Sequence, residues 1–323
     1  MKILIKPATV PGETSPESAE EEENTTETSN AGNADVSTVY MTKEISPAGL
    51  LQVYEALQRI PAGNVAVKLS TGEADGHYYL SPDLIGDLLQ SVNGTIIECN
   101  TAYGGSRSST ASHMQVAEDH GFTAIAEVDI MDADGSMSIP VADGAHLDEN
   151  LVGADLADYD FVMVLSHFKG HAMAGYGGAI KNISIGIASS EGKAYIHSGG
   201  TSTSSMWGGD QDAFLESMGE AAKAVSDYEG NGERILYISV MNNLSVDCDC
   251  DSNPSEPDMH DVGILASLDP VALDQACIDI VYDSDEGGTL VDRIEGQNGL
   301  HTLEYAEQIG LGNRGYNLVS VDG

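Results

Sequence analysis

The residue types best suited to chemistry lie together in one stretch of this chain. Residues 161–209 contain one acidic residue, Glu191, although the 323-residue chain has 52 Asp and Glu against 13 Lys and Arg. The same stretch holds three lysines and three histidines, namely Lys169, Lys181, Lys193, His167, His171 and His197. Low negative charge beside lysine and histidine is typical of a site for an anion or a metal-bearing cofactor. The alternative is that the lysines only neutralise neighbouring acids and the histidines are hydrogen-bonded loop residues.

The spacing of these residues predicts how they meet a ligand. The apolar run 161–165 is typical of a buried strand, and ligands of open α/β sheets bind beyond the carboxyl ends of strands. His167, Lys169 and His171 alternate after this strand, so an extended chain turns all three toward one face. We predict these three as catalytic residues.

A glycine-rich loop follows and is expected to hold the ligand. Its glycines let the backbone approach closely, and a predicted helix over 179–187 offers N-terminal amides to a phosphate or carboxylate. We predict cofactor contacts at Gly175, Gly177, Gly178, Lys181 and Asn182. Arg107, in another glycine-rich segment after a strand, is a further predicted anion contact, with an ordinary surface turn as the alternative. The loop matches neither a Walker A motif nor a Rossmann fingerprint.

A second group of residues is suited to binding a metal. Cys248 and Cys250 could chelate a soft divalent ion such as Zn, Fe or Ni, with His260 or Asp261 as a further ligand. The aspartates beside the cysteines disfavour thiolates unless a cation is present. A polar loop with incidental thiols is the alternative. Cys99 and Cys277 lie in apolar runs and are predicted to be core residues.

Composition excludes several classes of protein. A formal net charge of −39 argues against nucleic acid and anionic membrane surfaces as partners, which leaves a small anionic molecule or a metal cofactor. The chain lacks the cysteine run of an iron–sulfur cluster. No span reaches the roughly 20 apolar residues of a membrane helix, so we expect no membrane insertion. As written the chain suggests a cytoplasmic protein, and an extracytoplasmic one if an N-terminal anchor is missing.

The pattern of elements predicts the fold class. Short apolar runs alternate with amphipathic segments, which indicates an α/β protein of three layers, with a mostly parallel sheet flanked by helices. We predict an acidic disordered linker over residues 1–38 and α/β lobes over 39–205 and 206–323, with the site between them. The first lobe carries the histidines and lysines, and the second carries the Cys-Asp-Cys loop.

Two segments carry a family resemblance. SHFKGHAMAGYGGAIKN, from Ser166, and VGILASLDPVALDQACIDIV, from Val262, resemble the bacterial and archaeal "domain of unknown function 362" family. The resemblance extends over nearly everything from about Val39 onward. Many members of that family carry a ferredoxin-type insert with an iron–sulfur cluster, and this chain lacks that insert.

A looser similarity links the central segment to the lactate racemase family, which uses a nickel pincer nucleotide. The similar positions are His171, Gly175, Gly178, Lys181 and His197. The resemblance implies that His171 is an acid/base, that Lys181 tethers the cofactor and that His197 binds nickel. The racemases also place a second catalytic histidine after an earlier strand, where this chain offers only Arg107, His113 and His120.

Two classes of function follow from these patterns. In the first, the protein binds an anionic or metal-containing cofactor or substrate at the His/Lys/Gly-rich cleft and performs acid/base chemistry on a small anionic metabolite, with a nickel-pincer racemase or epimerase of a hydroxy acid as a variant. In the second, the protein is a non-catalytic metal or solute binder. The first class requires His171, Lys181 and His197 to converge on one pocket.

Overall fold

The computed structural model describes residues 36–323. Residues 1–35 of the predicted N-terminal linker therefore lie outside the described residues. Twelve strands are present in the described part of the chain: β1 Ser37–Thr42, β2 Val65–Lys68, β3 Gly94–Glu98, β4 Val128–Ile130, β5 Ser136–Pro140, β6 Glu149–Gly153, β7 Phe161–His167, β8 Lys169–His171, β9 Gly175–Gly177, β10 Ile235–Met241, β11 Gly263–Ser267 and β12 Tyr316–Ser320.

Helices cover both faces of the main sheet. The α-helices of the described residues are α1 Pro47–Ala56, α2 Pro82–Val92, α3 Thr110–Asp119, α4 Ala179–Ser184, α5 Ser190–His197, α6 Gln211–Tyr228, α7 Pro270–Asp283, α8 Gly288–Gly296 and α9 Leu300–Gln308. Side-chain caps fix several of their starts. Asp269, for example, accepts hydrogen bonds from the first two free amides of α7, as its sequence predicts.

Eight strands form one sheet in the order β12-β1-β11-β10-β7-β2-β3-β4. β11 is antiparallel to both of its neighbours, and the remaining neighbours pair in parallel. The predicted α/β class with a mostly parallel sheet is therefore confirmed. Strands from both predicted lobes lie in this one sheet, and the division at residue 205 stays a prediction.

The two faces of the sheet bury separate apolar layers. Val162 and Val164 of β7 face one layer with α4, α6 and α7, whereas Met163 and Leu165 face the other with α1 and α2. This follows from the two-residue period of a strand. Continuous burial along β7 is what a central parallel strand requires.

The connection order reverses beside β2. The chain runs from β2 to β3 and β4 on one side, and places β7 and β10 on the other side. Such a reversal opens a crevice at the carboxyl ends of the strands. Here β2 ends at Lys68 and β7 ends at His167, so this crevice lies beside the acid-poor segment.

Some elements differ from the sequence expectation. The segment after β7 is the short hairpin β8–β9 rather than an extended strand and loop. The predicted helix 179–187 ends as α4 at Ser184, and α5 follows it. No helix in residues 36–323 has the length and apolar character to cross a membrane.

Candidate functional site

A cleft of about 360 Å³ opens at the reversal between β2 and β7. His171, Lys181 and His197 all line it, so the structure brings together the three residues that a shared pocket requires. His167, Gly177, Gly178, Asn182, Arg107, Cys248 and Cys250 line the same cleft. Gly175, Lys169 and His260 do not. The structure gives the positions of these residues, and the roles that we predicted for them stay predictions.

A buried ion-pair network forms one wall of the cleft. The Arg107 guanidinium lies 3.1 Å from Glu73 Oε1 and 3.3 Å from Glu98 Oε2, and Lys68 Nζ lies 3.9 Å from Glu98. Burial raises the pKa of Glu98, but Lys68 and Arg107 outweigh it and hold that pKa well below its usual value. Arg107 is therefore engaged by two carboxylates, which leaves it little capacity as the anion contact that we predicted.

Lys181 differs from the other lysines near the cleft. Lys68 and Lys193 donate to backbone carbonyls and Lys169 donates to Asp249. Within residues 36–323, no hydrogen bond or ion pair is found for Lys181 Nζ, and the side chain is partly exposed at the cleft. Burial, followed by the charges of Lys68 and Arg107, lowers its pKa to about 8. The cleft thus contains a lysine that makes no direct contact with a carboxylate.

The ring of His171 is fixed in one tautomer. The amides of Met173 and Ala174 donate to His171 Nδ1 at 3.2 and 2.9 Å. Burial, together with Lys181 and His197, holds the pKa of His171 well below its usual value, so the ring is neutral. A neutral ring that accepts at Nδ1 carries its proton on Nε2. His171 therefore offers a hydrogen-bond donor to the cleft.

The ring of His197 has the opposite tautomer. Its Nδ1 donates to the Lys193 carbonyl at 2.7 Å, and the ring stacks on Phe214 at 4.7 Å between centroids. Burial lowers the pKa of His197 to about 4, with Lys181 contributing in the same direction. The lone pair of Nε2 is thus free to accept a proton or to bind a metal. The sequence could not reveal these complementary tautomers, since both depend on backbone partners.

Two of the predicted catalytic residues hold a loop in place. Lys169 Nζ lies 2.7 Å from Asp249 Oδ1, and His167 Nδ1 lies 3.1 Å from Asp249 Oδ2. Burial opposes ionisation of Asp249, but these two partners lower its pKa to about 2. His167 and His171 line the cleft, whereas Lys169 is buried against Asp249 and does not, and the catalytic roles of all three stay predictions.

The predicted metal ligands separate into two places. Cys248 and Cys250 line the cleft and are joined by a disulfide. His260 is well exposed and bonds Glu286 at 2.8 Å, so the structure does not bring it to the cysteines. Cys99 and Cys277 are buried, as predicted for core residues.

Close packing, and not only a ligand, explains why the loop at residues 175–178 contains so many glycines. Gly175 has φ +80°, and a Cβ on it would meet α8 and Gly299 at 3.1 Å. A Cβ on Gly178 would lie 2.3 Å from Asp274 Oδ1. That buried carboxylate accepts from the Ala179 and Ile180 amides at 2.7 and 3.0 Å. The expectation that these amides bind a phosphate or carboxylate ligand is therefore wrong, because Asp274 already occupies them.

Asn182 also has a structural role in the cleft floor. Its side-chain amide donates to the carbonyls of Lys68 and Leu165 and to Ser166 Oγ, and so joins the ends of β2 and β7 to α4. Gly177 also lines the cleft, and the Lys181 side chain lies 3.6 Å from the position that a Cβ on Gly177 would take.

Sequence reasoning missed several residues of the cleft. Lys68 and Glu98 end two apolar strands, and a charged residue at such a position was the signal that could have identified them. Lys193 lies one helical turn before His197 on the unpredicted helix α5. Trp207, the single tryptophan of the chain, is 69% exposed at the cleft.

Comparison with known proteins gave matches of two kinds. Similar solved structures include a lactate racemase apoprotein from Thermoanaerobacterium thermosaccharolyticum, with 12% identity, a TM-score of 0.43 and coverage of 76% of this chain and 57% of that one. Another is a protein from Thermotoga maritima, with 11% identity, a TM-score of 0.42 and coverage of 83% and 59%. The chain thus spans less than two thirds of each, and likeness of this degree carries no argument about function.

Comparison with curated proteins gave no match. A family model, however, matches residues 65–279, a range that includes the first motif segment, all but the last two residues of the second, and the residues that line the cleft. The predicted membership is confirmed, since the match extends over well more than half of the chain: this protein belongs to the family described as "Domain of unknown function (DUF362)".

Proposed function

We propose that the cleft binds a small anionic metabolite, with Lys181 as the cationic contact, and that His197 and His171 serve proton transfer on it. The observation that carries the proposal is the unpaired ammonium of Lys181 in a chain of net charge −39. Such a charge is costly to desolvate and gains a partner when a carboxylate or phosphate enters.

The two histidines give the bound molecule a base and a donor. His197 Nε2 would take a proton from the carbon or oxygen next to the anionic group, and His171 Nε2–H would donate to an oxygen that gains negative charge. His197, with a pKa of about 4, is a weak base in the empty cleft. A bound anion favours its protonated form and raises that pKa toward the usual range, so the substrate itself would strengthen the base.

Deuterium exchange tests proton transfer directly. Lactate and malonate would be incubated in D₂O with the wild-type protein, and the hydrogen on the carbon next to the carboxylate would be followed by NMR. We expect exchange with the wild type, loss with His197→Gln and a reduced rate with His171→Gln. Binding of these acids without exchange in any variant would instead support a non-catalytic solute binder.

A second candidate is the nickel-pincer chemistry of the racemases that the motif resembles. The observation that favours it is that His197 presents a free Nε2, suited to nickel, beside the partly neutral amine of Lys181, suited to a covalent tether. These two residues would hold the group, which would supply a nickel centre to the cleft.

The second catalytic histidine of the racemases has no counterpart at this cleft. His113 is buried 3.5 Å from Glu98, and His120 stacks on Tyr79. Intact-mass and elemental analysis of the natively purified protein would decide between the candidates. A Lys181 adduct with nickel would support the pincer function, and an unmodified mass without nickel would refute it.

A further inference from the structure

The proposed function leaves one reactive pair at the cleft unused. Cys248 and Cys250 lie on the segment between β10 and β11, and a disulfide joins them. The same two sulfurs and a ring nitrogen of His171 lie within 4.8 Å of one another, a separation from which they could hold a metal ion. Sulfurs that are bonded to each other cannot act as thiolate ligands. The cysteine pair can therefore be a disulfide or a pair of metal-binding thiolates, but not both at once.

The loop around the sulfurs is held by other groups. Asp249, between the two cysteines, is fixed by His167 and Lys169, and Asp247 lies 3.3 Å from Arg293. Reduction of the disulfide would leave all these contacts in place. These contacts also compensate the negative charge of Asp247 and Asp249, two of the aspartates beside the cysteines that would disfavour thiolates. The loop can thus present the sulfurs in either state.

His171 is not a suitable third ligand despite its distance. Its Nδ1 accepts from two backbone amides, so its Nε2 carries a proton and has no free lone pair. Ligation through Nε2 would place a proton on Nδ1 against both amides. His171 is better suited to donate a hydrogen bond to a thiolate.

We propose that Cys248 and Cys250 form a redox-controlled site for a thiophilic divalent cation, open as the dithiol and closed as the disulfide. Two low-molecular-weight thiols reduce the pair: the protein S–S bond breaks, two electrons and two protons enter, and the thiols become a disulfide. The cation then replaces the two thiol protons. Its remaining positions face the cleft and are open to water or to a bound anion.

The other two cysteines provide an internal reference. Cys99 and Cys277 are buried, and burial raises the pKa of each thiol, to about 12 for Cys99. In the native protein we therefore expect two reactive thiols after reduction and none after oxidation. The Cys248→Ser/Cys250→Ser variant should show none in either state and two after denaturation.

Cadmium binding tests the proposal without any use of the anion site. Protein reduced with dithiothreitol, or oxidised with oxidised glutathione, would be desalted and titrated with Cd²⁺, with thiolate-to-metal absorption as the readout. We expect one Cd²⁺ per reduced chain, none per oxidised chain, and loss in Cys248→Ser and in Cys250→Ser. His171→Asn should retain the stoichiometry.

Three results would overturn the proposal. Equal Cd²⁺ binding by reduced and oxidised wild type would exclude redox control, and this comparison needs no variant to fold. Binding by the double serine variant would place the cation elsewhere. Loss of binding in His171→Asn, with an unchanged circular dichroism spectrum, would make His171 a ligand and refute the two-thiolate assignment.

Discussion

Replacing Lys181 with methionine should weaken ligand binding and stabilise the empty protein at the same time. The ammonium is partly buried and has no hydrogen-bond partner in the described residues, so its charged form costs free energy that an apolar side chain does not. Its pKa falls from 10.5 to about 8, and one pKa unit corresponds to about 1.36 kcal/mol, which gives a cost of at most about 3 kcal/mol at neutral pH. Solvent in the open cleft reduces this figure. We expect the free energy of unfolding to rise by about 1–3 kcal/mol.

The pH dependence has a definite sign. Below pH 8 the lysine is protonated in both the folded and the unfolded state, and the folded state bears the full cost. Between pH 8 and 10.5 the folded state loses its proton first, so the cost disappears and stability rises with pH. Lys181→Met should abolish this rise. Urea unfolding, followed by circular dichroism at several pH values, measures it.

Binding should respond in the opposite direction. A charge-assisted hydrogen bond to an anion contributes about 1.5–3 kcal/mol, so the Kd for phosphate or malonate should increase about 10- to 100-fold in Lys181→Met. Trp207 fluorescence is the assay, because this single tryptophan lies at the cleft. Wild-type affinity should also fall as the pH rises past about 8, whereas the variant should show no such fall.

Lys223→Met is the matched control. Lys223 lies 2.7 Å from Asp227 on the surface of α6, so its loss should change the free energy of unfolding by about 0.5 kcal/mol or less. Its Kd should equal that of the wild type. If Lys181→Met were less stable than the wild type and bound anions equally well, Lys181 would be a structural residue and our reasoning about the cleft would fail.

Three further outcomes are expected. Lys169→Met should lower the free energy of unfolding in urea by about 3 kcal/mol, because it removes the lysine partner of the buried Asp249 and leaves His167 as its remaining partner; a loss below about 1 kcal/mol would contradict this. Raising salt from 0.1 to 1 M should raise the Tm in a thermal scan, because screening reduces repulsion within a chain of net charge −39; an unchanged Tm would show that this repulsion is unimportant. Burial raises the pKa of Glu216, but the opposing effect of His146 and His301 is larger and the pKa is lowered overall. The resulting stabilisation, up to about 1 kcal/mol, is complete above pH 4.5 and is lost as the pH falls through the folded pKa. Glu216→Gln should remove this loss of stability at acid pH, as measured in unfolding titrations.

The fold was predictable where a pattern was long. The continuous apolar run of β7 and the Asp-Pro start of α7 each identify an element without tertiary information. The hairpin β8–β9 was missed because three-residue strands leave too little pattern to recognise. Helix α5 was missed because it has only eight residues and carries Gly192, a poor helix former, in its first turn.

The site was predictable in place but only partly in detail. The scarcity of acidic residues identified the segment that contains Lys181 and His197, because such a scarcity can be read directly from a local stretch of sequence. The partners that decide each role come from elsewhere in the chain. Asp249, for example, is 80 residues from the lysine that it binds. Which lysine stays unpaired is therefore a tertiary property that no local spacing reveals.

The contact between Asp274 and Gly178 changes what family membership says about this protein. The two residues lie in the two segments that carry the family resemblance, and the carboxylate fits only because the glycine has no side chain. The two motifs thus form the two sides of one packing contact, which fixes how α4 lies against α7. A relative that kept this contact could differ at Lys181 or at the cysteine pair, so the two family motifs describe how α4 packs against α7 and do not identify the ligand.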